Sequence, residues 1–463
     1  MRDKNKIILE EYENKFSYKK NKTNLNIQFN RIAFIFFVFL VISIIFSIQL
    51  LHLGSLKVES NIKSTLNINN YRADIVDRNG NYLAKTVSSI DIGINPVEVI
   101  DKKKLLINLQ LIFPNKDYLE TSKKLDENKF FYFEKKISVE NYEKIMLLGD
   151  KSIKPEEKLT RIYPQTNLFS HIIGQIDDDN QGISGLEKSF NNRLKQKKEP
   201  LRLTVDTDIQ FLIREQLVKF NSIFRSKGAA AILMNVNSGE IISMVSYPDF
   251  DLNKREKVVD LNFINRATKG VYELGSVFKT FTIAAGLDEN LIDINTQFLD
   301  LPKSISCAGQ TIGEYSDKIP ADLTVEEILI RSGNIGSVRI GQKLEIIKLK
   351  AFLEKIGILS KINFDIEEVG EPIPFKWGKC KLATVSFGHG ITTTPLQLAK
   401  GYSIISNGGF DIKPSLIKKD EDYNKTKKRI IKEGISEKIN LILRKIVTNK
   451  DVPGINFIGI PII

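Results

Sequence analysis

Histidine, cysteine and tryptophan are scarce: the 463 residues hold three, two and one of them. Two cysteines, Cys307 and Cys380, exclude a scaffold built from disulfides, and with three histidines they leave little for a structural zinc site. No metal and no cofactor is expected. Long apolar runs are lacking too, with one exception near the N-terminus. A one-signed charge is missing as well. Lysine and arginine exceed the acids by 68 to 56, a net +12, but the lysines are interleaved with Glu, Asp, Asn and Ile. That pattern argues against a nucleic-acid footprint, and no nucleic-acid partner is expected. With 42% hydrophobic and 27% charged residues, the chain is not mainly disordered.

The exception is IAFIFFVFLVISIIFSIQLL, twenty residues from Ile32 to Leu51 without a charge. At about 1.5 Å per residue it matches the hydrocarbon thickness of a bilayer, and it is longer than the apolar core of a cleavable signal peptide. A retained anchor is expected. Lys15, Lys19, Lys20, Lys22 and Arg31 precede the span, and only Lys57 and Lys63 closely follow it. The positive-inside rule leaves the N-terminus in the cytoplasm and the remainder outside.

Beyond the anchor, RADIVDRNGNYLA (72–84) sets an Asn-Gly pair between two short alternating runs, a hairpin signal. Residues 97–158 carry helical spacing in KKKLLINLQLIF and SVENYEKIMLLG, and 161–191 are rich in turns. TVDTDIQ, from Thr204, opens an amphipathic helix reaching about Arg225. From Gly228, small and β-branched residues alternate around Asn237-Ser238-Gly239, which reads as a hairpin over 228–247. Helical signals follow at 275–288, 325–330, 344–356 and 395–405, and a domain boundary is expected near 221–227.

Ser-x-x-Lys occurs four times, at Ser17, Ser60, Ser276 and Ser415. Only Ser276 opens an apolar helix directly after a glycine. On a helix, positions i and i+3 share a face, so the Ser276 hydroxyl and the Lys279 amine can meet, and a desolvated lysine can act as base. Ser332-Gly333-Asn334 follows after TVEEILIR, a helix whose start fits a capping box of Thr324 and Glu327. Such a loop can aim a hydroxyl at Lys279 and an amide at a substrate. Ser-x-Asn also occurs at Ser189-Phe190-Asn191, so the ordered pair of motifs carries the weight.

Together with RIYPQTNLFSHIIGQ, GISGLEKSFN, SGEIISMVSYPDFDLN, NRATKGVYELGSVFK, RSGNIG and SFGHGITTTPLQLAKGYSIISNGG, these motifs make the chain resemble the class B penicillin-binding proteins, above all the division-specific (FtsI) group. The resemblance implies a membrane-anchored multidomain protein. Its parts would be a cytoplasmic tail (1–31), an anchor (32–52), an α+β pedestal of the dimerisation type (53–220) and a transpeptidase/β-lactamase-like α/β domain (221–463). It implies a serine-type peptidoglycan D,D-transpeptidase of septal cell-wall synthesis, seated in the inner membrane with its catalytic domain in the periplasm. Ser276 would be nucleophile, Lys279 base, and Ser332 and Asn334 the second motif, with Ser276, Ser332 and Asn334 contacting substrate. Peptidoglycan stem peptides, β-lactams, a SEDS-type glycosyltransferase (FtsW) and other division proteins would be its partners.

Three departures stand out. Leu274 and Val277 replace the usual Pro and Thr, and no Lys-Ser/Thr-Gly triplet occurs anywhere. In the family that third motif lies on a sheet strand supplying half of the oxyanion hole; here VPGINFIGIPII (452–463) stands where the motif should follow. The expectation is an incomplete reading frame that lacks three of five sheet strands, exposes an apolar face and an open edge, and has little transpeptidase activity. An alternative role is that of a catalytically impaired interaction protein. His389 is expected to be a turn residue, since no acid lies near it in sequence, and residues 413–432 a solvated charged face. Cys307 and Cys380 are expected to remain unpaired. Asp77, Arg78 and Asn79 read as hairpin residues.

Overall fold

The computed structural model describes residues 18–55, 71–254, 261–418 and 427–448. Ser17, Ser60, Lys15, Lys57, Lys63 and the 452–463 segment lie outside them. The chain divides into two units, 1–66 and 67–463. The first contains helix α1 (Tyr18–Ser55), and within it Arg31–Leu51 is apolar enough to cross a membrane, with mean hydropathy 2.8.

In the second unit a short strand β1 (Ile75–Val76) turns through Asp77–Asn81 into the long strand β2 (Tyr82–Ile94). The turn is the expected hairpin, with Gly80 at φ +94°. Asp77 organises it. Its carboxylate accepts the amides of Asn79 and Asn81 at 2.8 Å each, and the Thr207 hydroxyl at 2.6 Å. Burial disfavours its charge, but these hydrogen bonds outweigh burial and hold the carboxyl below its ordinary pKa.

Helices α2 (Lys102–Ile112) and α3 (Tyr118–Asp126) then lead into β3 (Phe131–Ile137), α4 (Val139–Met146) and β4 (Ile153–Ile162). Strand β4 pairs antiparallel with β2 from Lys85↔Ile162 to Ile94↔Ile153, β3 pairs with the far end of β2, and β5 (Leu201–Arg202) runs parallel to β1. At the root of this sheet Glu187, fully buried, takes the Nε–H of Arg161 at 2.8 Å and that of Arg72. A buried carboxylate is tolerable only when paired in this way.

Helix α5 (Thr207–Phe224) is capped by Asp206, which accepts from the amides of Asp208 and Ile209. It packs on the hairpin β6 (Ala229–Met234) and β7 (Ile241–Tyr247). Buried Gln210 ties helix to hairpin: Oε1 accepts from Ser243 Oγ (2.6 Å) and the Met244 amide (2.9 Å), and Nε2 donates to two carbonyls. The boundary read at 221–227 thus falls at the end of a helix that packs on the hairpin beyond it. The hairpin expected over 228–247 is present, and among the described residues a parallel bridge, Glu240↔Ser415, joins its edge. On α5, Phe211, Leu212, Phe220, Ile223 and Phe224 are each more than half exposed.

The rest is mostly helical around α6 (Lys279–Asp288), every residue of which is buried. A small hairpin, β8 (Ser304–Cys307) and β9 (Gln310–Gly313), precedes α7 (Val325–Ile330), whose Thr324–Glu327 capping box is present as read. Helix α8 spans Asn334–Lys355, beginning ten residues before the expected 344 and breaking at Glu345 (φ +61°). The Ser332-Gly333-Asn334 loop expected after TVEEILIR is therefore cut short at Asn334, where the helix already begins. Helix α9 (Lys379–Ser386), α10 (Pro395–Ser406) and α11 (Ile435–Thr448) complete the core; α9 and α11 carried no helical reading.

Two further expectations are corrected. Cys307 and Cys380 form a disulfide, Cα–Cα 5.6 Å, stapling β8 to the start of α9 across 73 residues of sequence. Within the 413–432 cluster, Lys413 is exposed and 419–426 lie outside the described residues, but 414–417 are not a solvated face: Ser415 and Leu416 are buried, bonding Asp365 at 2.8 and 2.7 Å, and Ile417 bridges to Leu203. The charges around them had hidden a short apolar segment. Ser415 is thereby removed from the Ser-x-x-Lys candidates.

Candidate active site

Residues 275–278 form a 3-10 turn leading into α6, with Gly275 at φ +64°, so Ser276 stands exposed at the lip while Phe278 and Lys279 point into the core. Tyr402 braces the turn from α10, its hydroxyl bonded to the Val277 carbonyl at 2.8 Å and to Thr280 Oγ1 at 3.0 Å.

Lys279 has no exposed surface. Its amine donates to three oxygens: Ser332 Oγ at 2.9 Å, Asn334 Oδ1 at 2.7 Å, and the Ser332 carbonyl. Burial pushes its pKa down to about 8, opposed by the charge of Glu314. The two motifs that the sequence ordered 53 to 55 residues apart thus meet at one nitrogen. Ser276 Oγ, by contrast, has no hydrogen-bond partner among the described residues. The expected Ser276–Lys279 pairing is not a hydrogen bond here; the amine faces the second motif instead.

Ser332 reaches this place through a strained backbone. It occupies the left-handed region (φ +56°) just past α7, where the Ser332 amide bonds the Leu329 carbonyl and the Gly333 amide bonds the Ile328 carbonyl. That is a Schellman termination, whose left-handed position usually belongs to glycine. A serine there stores strain of order 1 kcal/mol, as residues held for chemistry often do.

Above these residues lies a cavity of about 440 Å³ lined by Ser276, Ser332, Asn334, Tyr315, Glu273 and His389, with Gly275, Phe387 and Gly388. His389 is a turn residue as expected, flanked by Gly388 and Gly390 at positive φ. It also has an acidic neighbour after all: Glu273 Oε2 lies 3.3 Å from Nδ1 and accepts the Gly390 amide at 3.1 Å. The fold, not the local sequence, supplies that carboxylate. Glu273, Glu314 and Tyr315 were missed by motif reading because nothing local marks them. Among the described residues no three His, Cys, Asp or Glu side chains form a metal site.

An exposed hydroxyl beside a desolvated amine is equipment for acyl transfer through serine. Comparison with known proteins gives the lineage. Residues 229–459 match the penicillin-binding protein transpeptidase domain, and 67–219 the penicillin-binding protein dimerisation domain. The probable peptidoglycan D,D-transpeptidase FtsI of Caulobacter vibrioides is 30% identical over 406 residues, 84% of this chain and 68% of the relative. Stage V sporulation protein D of Bacillus subtilis is 29% identical over 81% of this chain and 65% of its own length. The peptidoglycan D,D-transpeptidase FtsI of Buchnera aphidicola subsp. Baizongia pistaciae is 29% identical over 91% and 81%. The chain belongs to the penicillin-binding protein family, with a dimerisation domain followed by a transpeptidase domain.

Proposed function

We propose that this chain is a septal peptidoglycan D,D-transpeptidase that also binds β-lactams, with Ser276 as nucleophile, Lys279 as base, and Ser332 and Asn334 holding the amine and the substrate. The observation that carries the reading is the buried Lys279 amine held by Ser332 and Asn334, the two residues of the second motif that line the same cavity as Ser276. In the first step Ser276 Oγ attacks the carbonyl of a stem peptide's D-Ala–D-Ala bond while its proton passes to neutral Lys279. The C–N bond then breaks, the departing D-alanine takes that proton on its nitrogen, and an acyl-serine ester remains. A neighbouring stem's amine attacks the ester and gives up a proton to Lys279. Ser276 leaves with that proton restored. Ping-pong transfer of this kind divides one hard step into two.

The Lys279 pKa of about 8 fixes the sign of the pH dependence. The base must be neutral, so acylation by penicillin should rise roughly tenfold per pH unit below about 8 and level off above it. Measuring the acylation rate constant from pH 6 to 9.5 checks this; a flat profile speaks against Lys279 as base.

We also propose the boundaries 1–31, 32–52, 53–220 and 221–463 for tail, anchor, pedestal and transpeptidase domain, with the tail cytoplasmic and the rest outside an inner membrane. The apolar span 31–51 and the basic residues ahead of it support this. Protease added to intact spheroplasts should digest the chain after Leu53, and full protection would refute the orientation. Anchor and pedestal would engage a SEDS-type glycosyltransferase (FtsW) and other division proteins, a role the family resemblance supports. Cross-linking from pedestal positions in dividing cells tests it.

A further inference from the structure

Helix α8 follows Gly333 at its N-cap, which has no side chain to cap it, yet its first two amides, of Asn334 and Ile335, are not free. Both are taken by one carboxylate: Glu314 Oε2 accepts the Asn334 amide at 2.7 Å and Oε1 the Ile335 amide at 2.8 Å. Glu314 comes from a different element, directly after β9, and its own amide is fixed on the Lys303 carbonyl. The preceding Gly313 carbonyl accepts Asn334 Nδ2 at 2.9 Å, which orients the amide so that Oδ1 faces Lys279. The hairpin that delivers Glu314 is held at its other end by Cys307–Cys380.

We propose that Glu314 is a positioning residue of this site: its carboxylate fixes the first turn of α8, and through it Asn334 and Ser332, around the amine of Lys279, while lending the pocket a negative charge. The inference rests on the role proposed above for Lys279. It explains why a helix that starts on glycine can present Asn334 rigidly, since uncapped first turns fray.

The other charges near Lys279 are engaged elsewhere. Glu273 faces His389 and the Gly390 amide. On α7, Glu326 pairs with Lys445 of α11 and Glu327 caps its own helix. Asp288, at the far end of α6, is held by Lys355 of α8 and by Lys432. Among the described residues, Glu314 is the charge whose field reaches the amine.

The test uses the full chain in detergent, with lysines labelled at 13Cε and Lys279 assigned by its absence in Lys279→Arg. In Glu314→Gln the Lys279 pKa should fall, on the order of one unit, because an anion favouring the ammonium is gone. Amide exchange over 334–338 should quicken about tenfold or more as the turn frays. Glu314→Asp, which keeps the charge, should restore the pKa, and Glu326→Gln should change neither readout. A Lys279 pKa unmoved or raised in Glu314→Gln, or unchanged exchange there, overturns the proposal. Neither readout needs turnover. A wild-type chain that never reacts with penicillin would therefore defeat the transpeptidase reading while these measurements still decide the role of Glu314.

Discussion

Replacing Ser276 with alanine should abolish covalent labelling by a fluorescent penicillin while leaving the melting temperature within about a degree. The hydroxyl is exposed and makes no hydrogen bond among the described residues, so its removal strands no buried partner. Lys279 keeps its three acceptors on Ser332 and Asn334, and α6 keeps its packing. Chemistry, however, loses its only attacking atom under the proposed mechanism. Labelling should be followed over hours at saturating penicillin. Residual labelling of Ser276→Ala at the wild-type rate would show that another nucleophile reacts.

Gly388→Ala should damage both stability and labelling. Gly388 sits at φ +88°, and a Cβ there would lie 1.9 Å from the Gly275 carbonyl oxygen and 2.9 Å from Phe278 Cβ. Neither neighbour is a flexible side-chain tip, so the loop and the 275–278 turn must move apart. Overpacking and left-handed strain together should cost about 2–4 kcal/mol, visible as a fall of several degrees in melting temperature. Because the displaced turn carries Ser276, acylation should fall by about 10²-fold, the usual consequence of misplacing a reacting group by about an ångström. Gly80→Ala is the matched control. Gly80 has φ +94° but nothing within 4 Å of the added carbon, so it incurs strain alone, about 1 kcal/mol, with labelling unchanged. Equal effects from the two substitutions would show that close packing at Gly388 is not what holds the turn.

The sequence alone determined the features that depend on near neighbours. An uncharged run of bilayer length marks the apolar span, an Asn-Gly pair marks the first hairpin, TVDTDIQ and Thr324 mark helix starts, and an apolar helix opening directly after Gly275 sets Ser276 and Lys279 apart from the other Ser-x-x-Lys sites. Each is a matter of residues within one or two turns of chain, where propensity and periodicity act directly. The ordered second motif pointed beyond that range, and the structure does bring Ser332 and Asn334 to Lys279. Tertiary structure decided the rest. It turned the lysine amine toward the second motif rather than toward Ser276. It joined Cys307 to Cys380, gave His389 an acidic neighbour in Glu273, and buried the short segment 414–416. It also set Glu314 on a helix start twenty residues away, where Gly333 offers no cap of its own. The reason is common to all of these. A contact between distant segments is fixed by how helices and hairpins pack, and a carboxylate, thiol or carbonyl carries no mark in the sequence of the partner that packing will bring to it.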